Sequence, residues 1–298
     1  MEFKSGFVTI IGRPNVGKST LMNSIIGEKI AIMSDKPQTT RNRIQSIYND
    51  DNNQIIFLDT PGIHKPKNKL GEYMVKVAKE TLNEVDLVLF MVDESKKIGP
   101  GDKFILEYLE GIKTPVVVVV NKIDLLNPVD YKSVFEFYSS IDYVKEVVGI
   151  SALNNRNVGD LMEIIKGYME EGPMYYPDDM ITDQPERAIV SEIIREKVLL
   201  YLRDEVPHGV NVQIESMKGR ENKDLVDIEA TIICEKNSHK GIIIGKQGRK
   251  LKGIGKSARQ EIERLLGSKV YMELWVKVRP GWRDNEGMLK NYGYASKK

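Results

Sequence analysis

Cysteine is almost absent from this 298-residue chain: the single Cys234 excludes an internal disulfide and any cysteine-based zinc site. Histidine is scarce too, and His64, His208 and His239 are too scattered to offer metal-ligand spacing. Long apolar runs are missing; the longest β-rich stretch, Val116–Val120, falls far short of the ~18–20 residues a membrane-spanning helix needs. Residues 1–10 pass at once into a strand pattern without the regions of a secretory leader, so a cytoplasmic location is expected. Internal repeats and low-complexity tracts are lacking. What is present is an ordinary composition, 41% hydrophobic and 29% charged, over a length that suits two domains.

Net charge is only +1, but it is unevenly distributed. Residues 239–283 hold twelve Lys and Arg against three Asp and Glu, a balance of +9, which leaves −8 for the rest of the chain. A polyanion partner is expected for the C-terminal part alone.

Residues 1–172 alternate short apolar runs (7–11, 54–59, 86–92, 115–121, 147–150) with helical patterns (19–26, 70–82, 103–109, 132–139, 158–169). That alternation predicts βαβ units, hence an α/β, doubly wound, mostly parallel sheet with ligands at the carboxyl ends of its strands. Residues 173–185, three prolines among acidic residues without a period, read as a linker. Residues 186–283 then give a long helix, two strands, two helical stretches around glycines, and a strand whose residues 270–278 alternate apolar with polar, an α+β domain. Residues 284–298 read as a polar tail with no site.

Gly12-Arg13-Pro14-Asn15-Val16-Gly17-Lys18-Ser19, with Thr20 following, matches GxxxxGK[ST] between a strand and a helix, as a phosphate loop requires. Its backbone N–H groups would surround phosphates at a helix N-terminus, Lys18 would reach the β- and γ-phosphates, and Ser19 would ligate Mg²⁺. Asn121-Lys122-Ile123-Asp124 follows a strand and reads guanine: the Asp124 carboxylate accepts from N1–H and the N2 amino group, Asn121 meets the O6/N7 edge, and the Lys122 stem covers a ring face. Ser151-Ala152-Leu153 fits an N–H donor from Ala152 to guanine O6. Asp59-Thr60-Pro61-Gly62 ends another strand, placing Asp59 near Mg²⁺ through water and the Gly62 N–H near the γ-phosphate. In the loop Lys36-Pro-Gln-Thr-Thr-Arg41 a threonine, Thr40 rather than Thr39, would close on Mg²⁺ while the γ-phosphate is present, a switch between ordered and released loops. Lys18, Thr40, Asp59 and Gly62 are the candidate catalytic set. Ile63 stands where many small GTPases carry a water-orienting glutamine, so slow turnover is expected.

Gly245-Lys246-Gln247-Gly248, after Gly241-Ile-Ile-Ile and before a helix, is a GxxG loop of the KH type, whose glycines let about four nucleotides approach the backbone. Ile242–Ile244 are expected in the core. Lys246 offers a phosphate contact, Arg249, Lys250, Lys252, Lys256 and Arg259 continue the basic surface, and the element order is that of a type II KH domain. Its expected ligand is single-stranded RNA, not DNA. Trp275 and Trp282 either stack bases or pack on the helix.

The set GRPNVGKST, PQTTR, DTPG, NKID and SAL, joined to GPMYYPDD, EIIREK, EVPHGV and GIIIGKQG, resembles the Era-type family of bacterial GTPases over nearly the whole chain. The resemblance implies GTP hydrolysis to GDP, binding to the 3′ end of 16S rRNA, a role in 30S ribosomal subunit maturation, and a cytoplasmic location with peripheral membrane association. Asn15 is similar to the cation-binding asparagine of potassium-stimulated relatives, or serves the turn alone.

Overall fold

A computed structural model describes residues 2–28, 40–63, 65–95, 97–202, 206 and 209–294. Thr39 and its neighbours 36–38, together with His64 and His208, lie outside the described residues. The chain divides into two compact units, one reaching to Asp183 and the other beginning at Gln184.

The first unit carries strands β1 (Lys4–Ile11), β2 (Ile44–Asn49), β3 (Asn53–Asp59), β4 (Leu87–Val92), β5 (Val116–Val120), β6 (Val144–Gly149) and β7 (Glu170–Glu171). Their order is β2-β3-β1-β4-β5-β6; β1, β3, β4, β5 and β6 are parallel, β2 joins β3 antiparallel, and β7 joins β1 antiparallel. Five consecutive valines make β5 because β-branched side chains suit a strand buried on both faces. Helices α1 (Lys18–Ile26) and α5 (Val158–Gly167) cover one face, where Leu21, Met22, Leu161 and Ile165 meet Ile10, Leu89 and Val119. On the other face α2 (Lys69–Leu82), α3 (Pro100–Leu109) and α4 (Pro128–Ser139) bring Ala78, Leu82, Ile105, Leu109 and Val134 against Ile56, Phe90 and Val118. Each fully buried aliphatic side chain contributes roughly 1.5–3 kcal/mol of transfer free energy, and the two layers leave the carboxyl ends of the strands as the open edge.

Strand β2 has no counterpart in the sequence reading, because IQSIYN alternates weakly and lies at the sheet edge. That edge is covered by the segment read as a linker. The buried Gln54 side chain accepts from Tyr175 N–H (2.7 Å) and Tyr176 N–H (3.0 Å) and donates to the Tyr176 carbonyl (2.8 Å). Ile47 N–H donates to the Ile181 carbonyl at 2.9 Å, and Thr182 Oγ1 donates to the Gln45 carbonyl at 2.6 Å. Residues 175–182 are thus a strap laid along β2, within the first compact unit.

The second unit consists of α6 (Glu186–Tyr201), β8 (Asn211–Gly219), β9 (Leu225–Cys234), α7 (Asn237–Ile244), α8 (Arg249–Leu266), β10 (Lys269–Val278) and α9 (Glu286–Asn291). β9 is central, antiparallel to β8 and parallel to β10. Ile254, Ala258 and Ile262, four residues apart along α8, pack with Ile193, Ile194 and Val198 of α6 and Ile232 of β9. Of the isoleucines expected in the core only Ile243 is buried; Ile242 faces outward. Residues 284–294 correct the expected tail: α9 buries Leu289, and the Tyr294 hydroxyl donates to Asn211 Oδ1 at 2.7 Å.

Candidate functional site

The phosphate loop lies between β1 and α1, at the carboxyl end of the sheet. Glycine is required at position 17: φ is 107°, and a Cβ would lie 2.3 Å from Asn121 Nδ2. Gly62 packs so closely on the loop that a Cβ would come within 2.9 Å of Pro14 N, and Ile63 N–H donates to the Gly12 carbonyl at 3.2 Å. The DTPG turn and the phosphate loop therefore form one wall. Thr60 Oγ1 ties that wall to the Ile10 carbonyl at 3.0 Å. Ile63 itself is fully buried in the apolar layer beneath, so its side chain takes no part in the site.

Lys18 Nζ donates to the carbonyls of Gly12 (3.1 Å) and Arg13 (3.0 Å), and burial lowers its pKa to about 8 although Asp59 pulls the other way. Across the loop, Ser19 Oγ, Thr40 Oγ1 and Asp59 Oδ2 converge: Ser19 and Thr40 hydroxyls stand 3.2 Å apart, and donate to Asp59 Oδ2 at 3.2 and 3.3 Å. Burial raises the Asp59 pKa to about 6 against the pull of Lys18. Asp59 Oδ1 is buried and finds no hydrogen-bond partner among the described residues. A set of hard oxygen donors with an unsatisfied carboxylate oxygen fits Mg²⁺, which takes few protein ligands and completes its shell with water and phosphate. Among the described residues no group of three or more His, Cys, Asp or Glu could hold another metal. Thr20 sits in the first turn of α1, and Asn15 is exposed with φ 69°, the left-handed conformation a turn asparagine adopts.

Three residues of the expected nucleotide site are bonded within the protein. Asn121 braces the site: Nδ2, which carries two N–H donors, gives one to the Val16 carbonyl at 2.8 Å, and Oδ1 accepts from Ala152 N–H at 2.9 Å. The Ala152 N–H expected for guanine O6 makes this bond to Asn121. The Arg13 side chain turns to two carboxylates: its Nε donates to Asp102 Oδ1 (2.7 Å) and its Nη2 to Asp93 Oδ1 (2.8 Å). Lys122, at φ 61°, pairs with Glu94 at 2.9 Å. Asp124 is exposed in a short 3₁₀ turn beside it, ready to accept, and Ser151 is buried while the Leu153 side chain stands out at 83% exposure.

In the second unit α7 ends at Gly245 (φ 71°) and α8 starts after Gly248 (φ 73°), with Gln247 also left-handed at φ 52°. Lys246, Gln247 and Arg249 are exposed around this loop and Lys250 is half-buried. Beside it runs a groove of about 440 Å³, with Leu251, Met272 and Leu274 as an apolar floor and Lys252, Lys256 and Arg259 along its rim. Gly255 on α8 keeps the groove open; a Cβ there would meet Leu274 at 3.4 Å. Apolar floor, cationic rim and bare backbone suit a single strand of nucleotides. Neither tryptophan lines this groove. Trp282 is fully buried, donating from Nε1 to the Gly209 carbonyl at 3.0 Å, and Trp275 alternates with Leu274 onto the opposite face of the sheet.

A phosphate loop, a DTPG wall and an NKID turn on a parallel sheet, with a GxxG groove on a three-stranded mixed sheet, define a P-loop GTPase joined to a type II KH domain. Residues 7–122 match a family described as 50S ribosome-binding GTPase and residues 205–283 the KH domain. The chain is 65% identical over 294 residues to GTPase Era of Alkaliphilus oremlandii (strain OhILAs), across 99% of this chain and 100% of that protein. It is 62% identical over 296 residues to GTPase Era of Clostridioides difficile (strain 630), with the same coverage. A crystal structure of Era in complex with MgGDPNP and nucleotides 1506-1542 of 16S ribosomal RNA superposes with a TM-score of 0.95 at 44% identity, over 99% of this chain and 100% of that chain. A single-substitution variant of Aquifex aeolicus Era bound to GDP.AlF4- also gives a TM-score of 0.95, at 43% identity and the same coverage. The chain belongs to the Era family of GTPases.

The geometry also names residues that the motifs left silent: Asp93 and Asp102 around Arg13, Gln54 under the strap, and Gly255 with Leu251, Met272 and Leu274 in the groove. Beside the basic residues already named, a glycine pair inside an otherwise good helix, Gly253 and Gly255, was a sequence signal for the groove, since glycine costs a helix roughly 1 kcal/mol.

Proposed function

We propose that this chain is a Mg²⁺-dependent GTP switch that binds unpaired RNA at the 3′ end of 16S rRNA and acts in maturation of the 30S ribosomal subunit. The observation that carries the reading is the coexistence, on one chain, of converging Ser19, Thr40 and Asp59 oxygens and a cationic GxxG groove. The complex of Era with MgGDPNP and 16S rRNA nucleotides 1506-1542 supports the same ligands here.

Bound Mg²⁺ would be held by Ser19 and Thr40 with Asp59 behind, and supplies charge neutralisation at the phosphates. Lys18 would exchange its two carbonyl partners for phosphate oxygens, and the N–H groups of the loop would hold the remainder. With Ile63 buried, that position supplies no side chain to orient water, so intrinsic turnover is slow and depends on backbone groups, a partner or a monovalent cation. Asn15, exposed on the phosphate loop, is the candidate K⁺ ligand. Turnover several-fold faster in K⁺ than in Na⁺, and lost in Asn15→Ala, is the expected result; equal rates reject the cation role.

The working location is the cytoplasm, with peripheral attachment to the inner face of the membrane. Among the described residues no helix is long and apolar enough to cross a membrane. Fractionation of cells, with and without a high-salt wash, tests the attachment. The ribosomal role is tested by a crosslinking map on rRNA with a GTP analogue and again with GDP. Crosslinks concentrated at the 3′ end of 16S rRNA and enriched with the analogue are expected; their absence rejects it.

A further inference from the structure

Arg13 is the second residue of the phosphate loop, yet its donors are committed elsewhere. Nε meets Asp102 Oδ1 at 2.7 Å, and Nη2 meets Asp93 Oδ1 at 2.8 Å and Ser95 Oγ at 3.3 Å. The surroundings are shaped to receive it. Asp102 is 1% exposed at the start of α3, and a Cβ on Gly101 would lie 2.6 Å from Arg13 Cδ, so only glycine lets the arginine stem pass. The segment Gly99-Pro100-Gly101-Asp102, which no nucleotide motif explains, is therefore the socket of Arg13. Asp93 also accepts from Ser95 Oγ at 2.6 Å, which fixes the turn at the end of β4.

The next residue in that turn, Glu94, forms an ion pair with Lys122 of the base-reading loop at 2.9 Å, and Lys122 sits at φ 61°. An unbroken path thus runs from the phosphate loop through Arg13, Asp93 and Glu94 to Lys122. Two residues beyond lies Asp124.

We infer that Arg13 is a positioning residue that sets the base-reading turn at a fixed place relative to the phosphate loop and so sharpens selection of guanine. A carboxylate that reads N1–H and the N2 amino group works only if the base arrives at a fixed height above the phosphates. Loosening either end lets the turn drift, and the geometry-dependent bonds to guanine are lost before the phosphate contacts are. The planar fork explains arginine here: a lysine has one point of charge and cannot hold two carboxylates at set angles. The inference rests on guanine nucleotide filling the phosphate loop.

The test compares GDP with IDP, which lacks the N2 amino group, by titration of the full chain in Mg²⁺. Arg13→Gln and Asp102→Asn are each expected to lower the IDP-to-GDP ratio of dissociation constants by about three- to tenfold. Glu94→Gln, which cuts the far end, is expected to do the same, and Arg13→Lys to recover only part of the loss. A general destabilisation would weaken both nucleotides alike and leave the ratio unmoved. An unchanged ratio in Asp102→Asn and Glu94→Gln overturns the inference even if Arg13→Gln does not fold. Failure of the wild-type chain to bind GDP would instead remove the reading of the phosphate loop itself, and the inference with it.

Discussion

Asn121 Nδ2 donates to the Val16 carbonyl at 2.8 Å while Oδ1 accepts from Ala152 N–H at 2.9 Å, so one buried amide clamps three loops at the carboxyl end of the sheet. The first residue of NKID is thus a brace between the walls of the nucleotide site. Asn121→Ala would strand a buried carbonyl and a buried N–H, at about 1–3 kcal/mol each. GDP affinity is expected to fall by at least about tenfold, with a lower melting midpoint for the nucleotide-free chain. A variant with unaltered affinity and midpoint would remove the brace.

Asp124 is the proposed base reader beside that clamp. Asp124→Asn breaks the acceptor pair facing N1–H and the N2 amino group and should cost about 1–3 kcal/mol of GTP affinity. Xanthine nucleotide, whose ring offers the matching pattern, should gain. Competition of GTP against XTP measures both at once.

Lys18 makes nucleotide binding depend on pH. Its pKa is held at about 8, below the ordinary 10.5, by burial. With the folded value the lower one, its penalty on the nucleotide-free fold is full below about pH 8 and is relieved as pH rises, because the unfolded chain then binds the extra proton. A phosphate favours the protonated ammonium. GDP binding at about pH 9 should therefore take up a proton and weaken, whereas at about pH 7 this uptake vanishes. Calorimetry in two buffers of different ionisation enthalpy reads the difference, and identical proton balance at both pH values contradicts it.

On the groove, Lys252→Ala with Lys256→Ala should weaken binding of unpaired RNA and flatten its salt dependence, by about 0.7 in slope for each phosphate left without its cation. Gly255→Leu should block the apolar floor and weaken RNA binding at every salt concentration, leaving the slope as it is. If both variants bind like the wild type, the RNA site lies elsewhere.

The two tryptophans should separate cleanly. Trp282→Ala empties a fully buried site and strands the Gly209 carbonyl, for about 3–5 kcal/mol of lost stability. Trp275→Ala, at a residue 62% exposed, should change stability by no more than about 0.5 kcal/mol. Urea unfolding of the two variants measures the contrast.

The parallel sheet was legible because five valines in β5, or six apolar residues in β4, are runs of strand length that suit burial on both faces. The GxxG joint was legible for a similar reason: glycines between two helical periods leave few conformations. Strand β2 was not, since an edge strand needs only half an apolar pattern, and neither was the strap, whose bonds come from Gln54, more than a hundred residues away. Trp282 shows the same limit, because burial depends on what folds over a side chain rather than on its type.

Sequence by itself determined which chemistry the chain holds: spacing in GRPNVGKS, DTPG, NKID and GKQG dictates local backbone shape, and local shape makes phosphate cradles. Tertiary structure alone decided what several of those side chains do. Asn121, Arg13 and Ala152 each bond to partners far away in sequence that no motif spacing names, because a buried donor bonds to what the fold brings within 3 Å.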